Sequence, residues 1–234
     1  MQDYAYLLAI DTCGPTGSVA LGQQVYGAFH VLGESQFDGR RSSDSVVGSV
    51  CELLGMAEVQ LQQLSAIVAV NGPGGFTGVR VGLSAVKGLA ESSKIPVTTV
   101  SRLEVLADKA GIPSAALDAH RGEVFLRLEL PVGQARELLA GAQELSSVDI
   151  APRRIAVCDE AAAALLAAVW PAAELVRASP PSAADALRFG VARVDAGEFV
   201  DVALLDGHYL RRSDAEIFGP ESLGRPDAKG PRDA

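Results

Sequence analysis

Residues 7–21, LLAIDTCGPTGSVAL, and residues 115–130, AALDAHRGEVFLRLEL, follow one plan. Each is an apolar run that ends in an aspartate, followed by a short turn and a Gly-x-Val that opens a second apolar run. Asp11, Gly17 and Val19 correspond to Asp118, Gly122 and Val124, with the second turn two residues shorter. A short apolar run bounded by turn residues reads as a buried strand. Val124, Leu126, Leu128 and Leu130 alternate with Phe125, Arg127 and Glu129, as in an antiparallel strand with one wetter face. A unit repeated after about 100 residues implies two similar α/β lobes.

Working outward, SVAL and VYGAFHV continue the first strand as an antiparallel meander. In SSDSVVGSVCELLGM (42–56), Val46, Val47, Val50, Leu53 and Leu54 recur at helical spacing, with Ser42 or Ser43 as the expected N-cap. AIVAV (66–70) is a buried strand, Thr77–Ser92 a helix and PVTTV (96–100) a strand. After residue 130 the pattern predicts a helical stretch, the strand RIAVCD (154–159), a helix over 160–169, the strand AELVRA and the helix ADALRFGVARVDAG. The expected lobes are therefore 1–100 and 101–218, each a central mixed sheet flanked by helices. The last stretch, 219–234, has no periodicity and is rich in Gly, Pro and charge, which predicts a disordered tail.

Bulk properties exclude several classes. With 234 residues and 48% hydrophobic content the chain can bury a substantial core. A net charge of −9 gives no footprint for gripping a phosphate backbone unaided, so any nucleic-acid role is shared with a more basic partner. Cys13, Cys51 and Cys158 are scattered, so neither a disulfide framework nor a zinc site is expected. His30, His120 and His208 form no HxxxH or HExxH pair, and no G-x-S-x-G element is present. AAAALLAAVW (161–170) is too short to span a bilayer. The opening residues lack signal-peptide pattern, so the expectation is a cytoplasmic protein without a membrane role.

Two loops could carry chemistry. NGPGGFT (71–77) is neither the dinucleotide fingerprint nor a Walker A. It is still a glycine-permitted turn that delivers backbone N–H groups at a helix start, where an anion is favoured, and Thr77 can cap that helix. Arg80 in the first turn opposes the macrodipole, so a partner is expected for it: Asp11, another carboxylate, a ligand phosphate or solvent. Gly78, Gly82, Ser84, Ala85, Gly88 and Ala90 give the helix a small-residue face suited to close approach by another helix, internal or external. The second loop, DTCGPTGSVA (11–20), sets an aspartate at a strand end before a hydroxyl- and glycine-rich turn, the way actin-like and sugar-kinase-like ATPases approach a phosphate and its magnesium. Asp11, Thr12, Gly14, Gly74 and Gly75 are thus the candidate phosphate loops, and an ATP-dependent kinase or ATPase is one open reading.

LLAIDTCGPTGSVAL, GPGGFTGVRVGLSAVKGLA (72–90), LDAHRGEVF (117–125) and HYLRRSDAE (208–216) together resemble the TsaB family, also called YeaZ. Its members are smaller paralogues and partners of the metalloenzyme TsaD, which installs threonylcarbamoyl on the adenosine next to the tRNA anticodon. The resemblance implies an actin-like (ASKHA, ribonuclease H-like) fold in two duplicated lobes. It also implies a cytoplasmic subunit without catalytic activity of its own that homodimerises when alone or pairs with TsaD through its N-terminal lobe. A TsaE-like ATPase would be the third member, tRNA would be met only through the complex, and ATP or ADP with Mg would sit, if anywhere, at a subunit interface. The metal-binding branch carries a histidine pair in the helix after the meander; here that stretch reads GRRSSDSVVGSV, with Arg41, Ser42 and Ser43 and no histidine. His120 stands where the family more often has Arg. A metalloprotease without histidine ligands lacks its activated water, so a peptidase reading fits poorly. On this resemblance the partner face is the glycine-rich helix, through Thr77, Gly78, Gly82, Ala85 and Val86.

Overall fold

A computed structural model describes residues 4–130, 134–149 and 151–211. The tail expected to be disordered, 219–234, lies outside the described residues, as do the last five residues of HYLRRSDAE.

Strands β1 (Tyr4–Asp11), β2 (Thr16–Val25) and β3 (Ala28–Asp38) form the antiparallel meander. The turn falls inside VYGAFHV, on Tyr26 and Gly27 at φ 48° and 82°, the positive-φ pair of a two-residue hairpin whose twist matches its strands. β4 (Leu64–Val70) and β5 (Val97–Val100) add in parallel on the other side of β1, giving the order β3-β2-β1-β4-β5. The central strand is covered on both faces, with Leu7, Leu8, Ala9 and Ile10 at most 1% exposed. A second sheet repeats this order strand for strand: β6 (Ala115–Asp118), β7 (Glu123–Glu129), β8 (Ala135–Gly141), β9 (Arg154–Val157) and β10 (Glu174–Arg177) lie as β8-β7-β6-β9-β10.

Two expectations about the second sheet are corrected. ARELLAG (135–141), expected within a helical stretch, is strand β8, paired with β7 from Glu129↔Ala135 to Glu123↔Gly141. Only α4 (Ala142–Ser146) is helical there; a full ladder on β7 overrides helix propensities that differ by a few tenths of a kcal/mol per residue. The register pairs Asp11 with Ser18 but Asp118 with Val124. The equivalent of Val124 is therefore Ser18, and the second turn is one residue shorter.

The helices are α1 (Ser42–Met56), α2 (Phe76–Ser93), α3 (Arg102–Ala110), α4, α5 (Glu160–Val169) and α6 (Ala183–Asp195). Neither expected cap for α1 serves as one. A 3-10 turn at Gly39–Arg41 runs straight into the helix, Arg41 holds the cap position, and Ser42 donates back to the Gly39 carbonyl at 2.5 Å. Similarly Gly75, not Thr77, caps α2.

The lobes exchange their last helices. Ala116, Val124, Leu126, Ile155 and Val157 pack with α5, whereas Ala115, Leu117, Phe125 and Ala156 pack with α3. Because successive strand residues face opposite sides, α3 and α5 cover opposite faces of the second sheet. Conversely α6, although it follows β10, packs on the first sheet, where the absent Cβ of Gly190 lets it approach Val68. The first hydrophobic core accordingly contains Ala183, Ala186, Leu187 and Leu205 beside the residues of β1, β2 and β4. All strands of the first sheet precede residue 101 and all strands of the second follow it, while α6 returns across that division. α3 and α6 meet through Lys109–Asp185 at 2.6 Å and Arg193–Glu104 at 2.8 Å.

The glycines of α2 serve a close approach, but to a turn rather than to a helix. A Cβ on Gly78 would strike the Thr12 carbonyl oxygen, and one on Gly82 would strike Thr12 Oγ1. Gly88, by contrast, is exposed and meets nothing within 4 Å. Helix propensity alone favours alanine over glycine at both positions by about 1 kcal/mol. At Gly78 overpacking outweighs that gain, because the obstructing atom is backbone. Gly88→Ala is expected to raise stability by about 0.5–1 kcal/mol, and Gly78→Ala to lower it by about 1–3 kcal/mol. Urea unfolding of both variants checks this; equal gains would show that the Thr12 turn yields.

Candidate functional site

The two candidate loops do come together. β1 ends at Asp11 and β4 at Val70 on neighbouring parallel strands, so the 12–14 turn and the 71–75 loop emerge side by side at the carboxyl ends of the strands, the usual ligand position in open α/β sheets. Gly72, at φ 118°, turns the chain where a side chain would be strained.

What fills this position is the chain itself. The Asp11 side chain is 1% exposed; Oδ1 accepts from the Cys13 N–H at 2.8 Å and Oδ2 meets Arg102 Nε at 3.3 Å. A capping box places Arg102 there. Ser101, after β5, accepts from Leu103 N and its own N–H donates to Glu104, so α3 starts at Arg102 with that side chain turned back over the cleft. The Arg102 N–H donates to the Gly72 carbonyl at 2.6 Å, and its guanidinium lies where a Cβ on Gly14 would stand. Thr12 donates its hydroxyl to the Gly78 carbonyl at 2.6 Å, Gly75 N–H donates to the Cys13 carbonyl at 3.0 Å, and Gly74 abuts Cys13.

The actin-like plan implies a magnesium nucleotide at this spot, and these residues do not fit one. The aspartate that would approach the cation is neutralised by Arg102, while the Thr12 hydroxyl and the Gly75 N–H are bonded internally. Among the described residues no group of three His, Cys, Asp or Glu side chains is gathered as metal ligands. Burial, then the neighbouring Asp11 carboxylate, pushes the Cys13 thiol well above its ordinary value. With its S–H on the Val70 carbonyl it is a core residue rather than a nucleophile. Arg80 is paired neither with Asp11 nor with any other carboxylate among the described residues: its guanidinium lies over the Phe76 ring at 3.6 Å and Nε donates to Tyr209 Oη at 3.3 Å.

Beside the closed cleft lies an open one. α1 and α2 frame a groove of about 630 Å³ whose floor and rims include Val47, Phe76, Thr77, Val81 and Ala85. Val47 is 48% and Phe76 41% exposed, and both line this groove. Of the five residues expected on a partner face, Thr77 and Ala85 line this groove. Gly78 and Gly82 face the Thr12 turn, and Val86 is 1% exposed in the core, so these three do not line the groove.

A third cluster joins the lobes. Glu137 on β8 accepts from the Ser101 hydroxyl at 2.6 Å and from Arg127 at 3.0 Å, and meets His208 Nε2 at 2.9 Å. Burial works against its charge, but His208, Ser101 and Arg127 together hold its carboxyl below the ordinary value, and the bond to Glu137 raises His208. His120 is 84% exposed at its side chain, close to Asp118 at 2.8 Å, on a turn where His120, Arg121 and Gly122 all have positive φ.

Comparison with known proteins follows these features. The profile described as "TsaD: tRNA N6-adenosine threonylcarbamoyltransferase" matches residues 37–144, from the end of β3 through α1, the glycine loop and α3. The tRNA threonylcarbamoyladenosine biosynthesis protein TsaB of Bacillus subtilis is 37% identical over 127 residues, 52% of this chain and 54% of that protein. TsaB of Escherichia coli is 32% identical over 125 residues, 51% and 52% respectively. A Pseudomonas aeruginosa structure described as an uncharacterized protein with similarity to peptidase YEAZ superposes with a TM-score of 0.72 at 28% identity, covering 88% of this chain and all of that one. The chain is similar to TsaB proteins over about half its length and to the YeaZ-like structure over 88% of it. It spans about half the length of the curated relatives it matches, whereas the structural likeness covers 88% of the chain.

Sequence reasoning missed Arg102 as the partner of Asp11 and gave His208 no role beyond its absence from a histidine pair. The Arg102 signal was present: Ser-Arg-Leu-Glu at 101–104, after a strand, is a capping box that puts the arginine in the first turn. Removing one partner of a buried ion pair strands the other charge, at about 3–5 kcal/mol. Arg102→Ala is expected to lose that much on unfolding in urea, and Asp11→Asn combined with Arg102→Met to lose less than the sum of the two single variants. Additive losses would show that the two side chains act separately.

Proposed function

We propose that this protein is a non-catalytic subunit in the synthesis of threonylcarbamoyladenosine, on the adenosine next to the tRNA anticodon, and that it acts by docking a larger TsaD-like paralogue on the α1–α2 groove. The observation that carries this reading is the juxtaposition of a cleft closed by Asp11 and Arg102 with an open apolar groove one helix away. The family's place in that biosynthesis, taken from the names of the relatives, supplies the reaction. The helices between equivalent strands support the choice of lobe: α1 and α2 have 15 and 18 residues, while α4 and α5 have 5 and 10. Among the described residues, the first lobe has the pair of helices long enough to present such a face.

On this reading a TsaE-like ATPase completes the complex, and the protein works in the cytoplasm. tRNA is met through the basic members, since a net charge of −9 disfavours direct phosphate contact. Alone, the chain covers the same groove with a second copy. No helix among the described residues is long and apolar enough to cross a membrane. The competing reading, an ATP-dependent kinase or ATPase, requires Mg-nucleotide to displace Arg102 from Asp11, and no feature of the cleft favours that exchange.

The test is a reconstituted threonylcarbamoylation reaction containing the larger paralogue, the TsaE-like ATPase, tRNA, ATP and a threonylcarbamoyl donor. Omission of this protein is expected to abolish modification. Ala85→Arg, in the groove, is expected to weaken binding to the paralogue at least about 30-fold, as for a central interface residue, with little change in unfolding. Modification that proceeds unchanged without the protein overturns the proposal. Heat on titrating Mg-ATP into the isolated chain would revive the competing reading.

A further inference from the structure

The groove is lined by α1 and α2, but two of its lining residues, Phe76 and Arg80, are touched by a segment that belongs to neither helix. After the 3-10 turn at Val202–Leu204, the chain runs from Leu205 to Arg211 across the mouth of the glycine loop and reaches the second lobe. Its contacts alternate between the lobes. Leu205, 6% exposed, is buried in the first core. His208 N–H donates to the Asn71 carbonyl at 2.7 Å, and the His208 backbone lies close against Gly72. The Tyr209 ring sits 5.3 Å from the Phe76 ring, and its hydroxyl accepts from Arg80. The His208 imidazole meets Glu137 of β8, Leu210 packs on the second lobe, and Arg211 pairs with Glu123 of β7.

We propose that residues 205–211 are a strap that sets the rim of the α1–α2 groove, with Tyr209 as the positioning residue and the His208–Glu137 and Arg211–Glu123 contacts as the clasp that ties that rim to the second lobe. This rests on the groove being the docking face, and it adds how that face is held. Three geometric facts carry it. Phe76 and Arg80 both line the groove and both touch Tyr209, so the strap and a docked partner share side chains. Arg80 is held flat on Phe76 by aromatic contact, with no carboxylate among the described residues to anchor it, so its orientation depends on Tyr209. Among the described residues, the strap's hydrogen bonds and ion pairs to the second lobe run through side chains that end in charge or in a titratable ring, beside the apolar packing of Leu210, which makes its seating responsive to conditions in a way a strand pairing would not be.

The chemistry of the clasp fixes the sign of that response. His208 faces Glu137 directly. Glu137 is also held by Ser101 before α3 and by Arg127 of β7, and Glu104 of α3 stands further off, itself paired with Arg193 of α6 and Arg127. Glu137 raises His208 above its ordinary value, so the bond to a protonated imidazole is complete below the unfolded-state value and is lost as pH rises through the raised one. The carboxyl of Glu137, held low, remains ionised throughout that range.

Two readouts on the full chain separate this inference from the docking it rests on. Hydrogen exchange of the isolated protein follows the amides of 76–84. Protection there is expected to fall as pH rises through the His208 transition, after correction for intrinsic rates, and to fall about five- to tenfold in Tyr209→Ala, less in Tyr209→Phe, which keeps the ring. Glu137→Gln, a change in the other lobe, is expected to loosen the same amides and to flatten their pH profile. Calorimetric titration with the larger paralogue should show Tyr209→Ala and Glu137→Gln weakening affinity by a similar factor. Exchange at 76–84 that is indifferent to Glu137→Gln and to pH overturns the strap. Exchange that responds while the wild-type chain shows no affinity for the paralogue upholds the strap and overturns the docking reading.

Discussion

Asp11 and Arg102 meet where the two lobes join, and most of the surrounding geometry follows from that meeting. A carboxylate at 1% exposure needs a partner, and the partner comes from the first turn of the helix that leads into the second lobe. Seating it fixes the start of α3. The Arg102 backbone then ties Gly72, which sets the glycine loop, and the loop sets where α2 begins. A buried pair of this kind adds little over an apolar pair of equal volume, yet is costly to break. Its contribution is to position rather than to stabilise. The cleft that an actin-like plan would open to a nucleotide is thereby closed by a residue that also keys the lobes together.

Much of this architecture was legible in the sequence, and the reasons are physical. Strands β1, β4 and β9 are nearly pure apolar runs because they are buried on both faces, and the strand–Asp–turn–strand repeat announced the duplication. Helix α1 follows from the apolar spacing of Val46, Val47, Val50, Leu53 and Leu54. The miss at 135–141 came from ARELLAG having no strand-like alternation, since an edge strand is ordered by its neighbour rather than by its own pattern; the repeat itself demanded a third strand there. At the site, proximity of the 12–14 and 72–75 loops was inferable from the parallel strands that precede them. What lay between them was not. Whether an aspartate at a strand end faces a cation or an arginine is decided by a residue 91 positions away, and only the capping box at 101–104 hinted at it. The small-residue helix was read as a surface for another helix because glycine spacing signals close approach without saying to what.

Duplication followed by divergence gives the two lobes different work. Their sheets keep one strand order, but the helices between equivalent strands are shorter in the second lobe, so that among the described residues a groove framed by two long helices is found in the first. The second lobe keeps the charged set of Arg127, Glu137 and Glu104, which reaches back to α6 and to the strap. On the proposed reading one lobe carries the docking surface and the other supplies the brace, joined by ion pairs such as Lys109–Asp185 and Arg193–Glu104 as well as by the apolar packing of α6 on the first sheet.

The exchange of α3 and α6 has a consequence for how the chain is made. The first sheet is complete once residue 100 has left the ribosome, yet the helix that covers one of its faces ends at Asp195. At about 5–20 residues per second, the apolar face of β1, β2 and β4 stays uncovered for on the order of ten seconds of synthesis. Nascent chains of this protein therefore expose an apolar face of the first sheet at mid-translation, well before the helix that covers it is made.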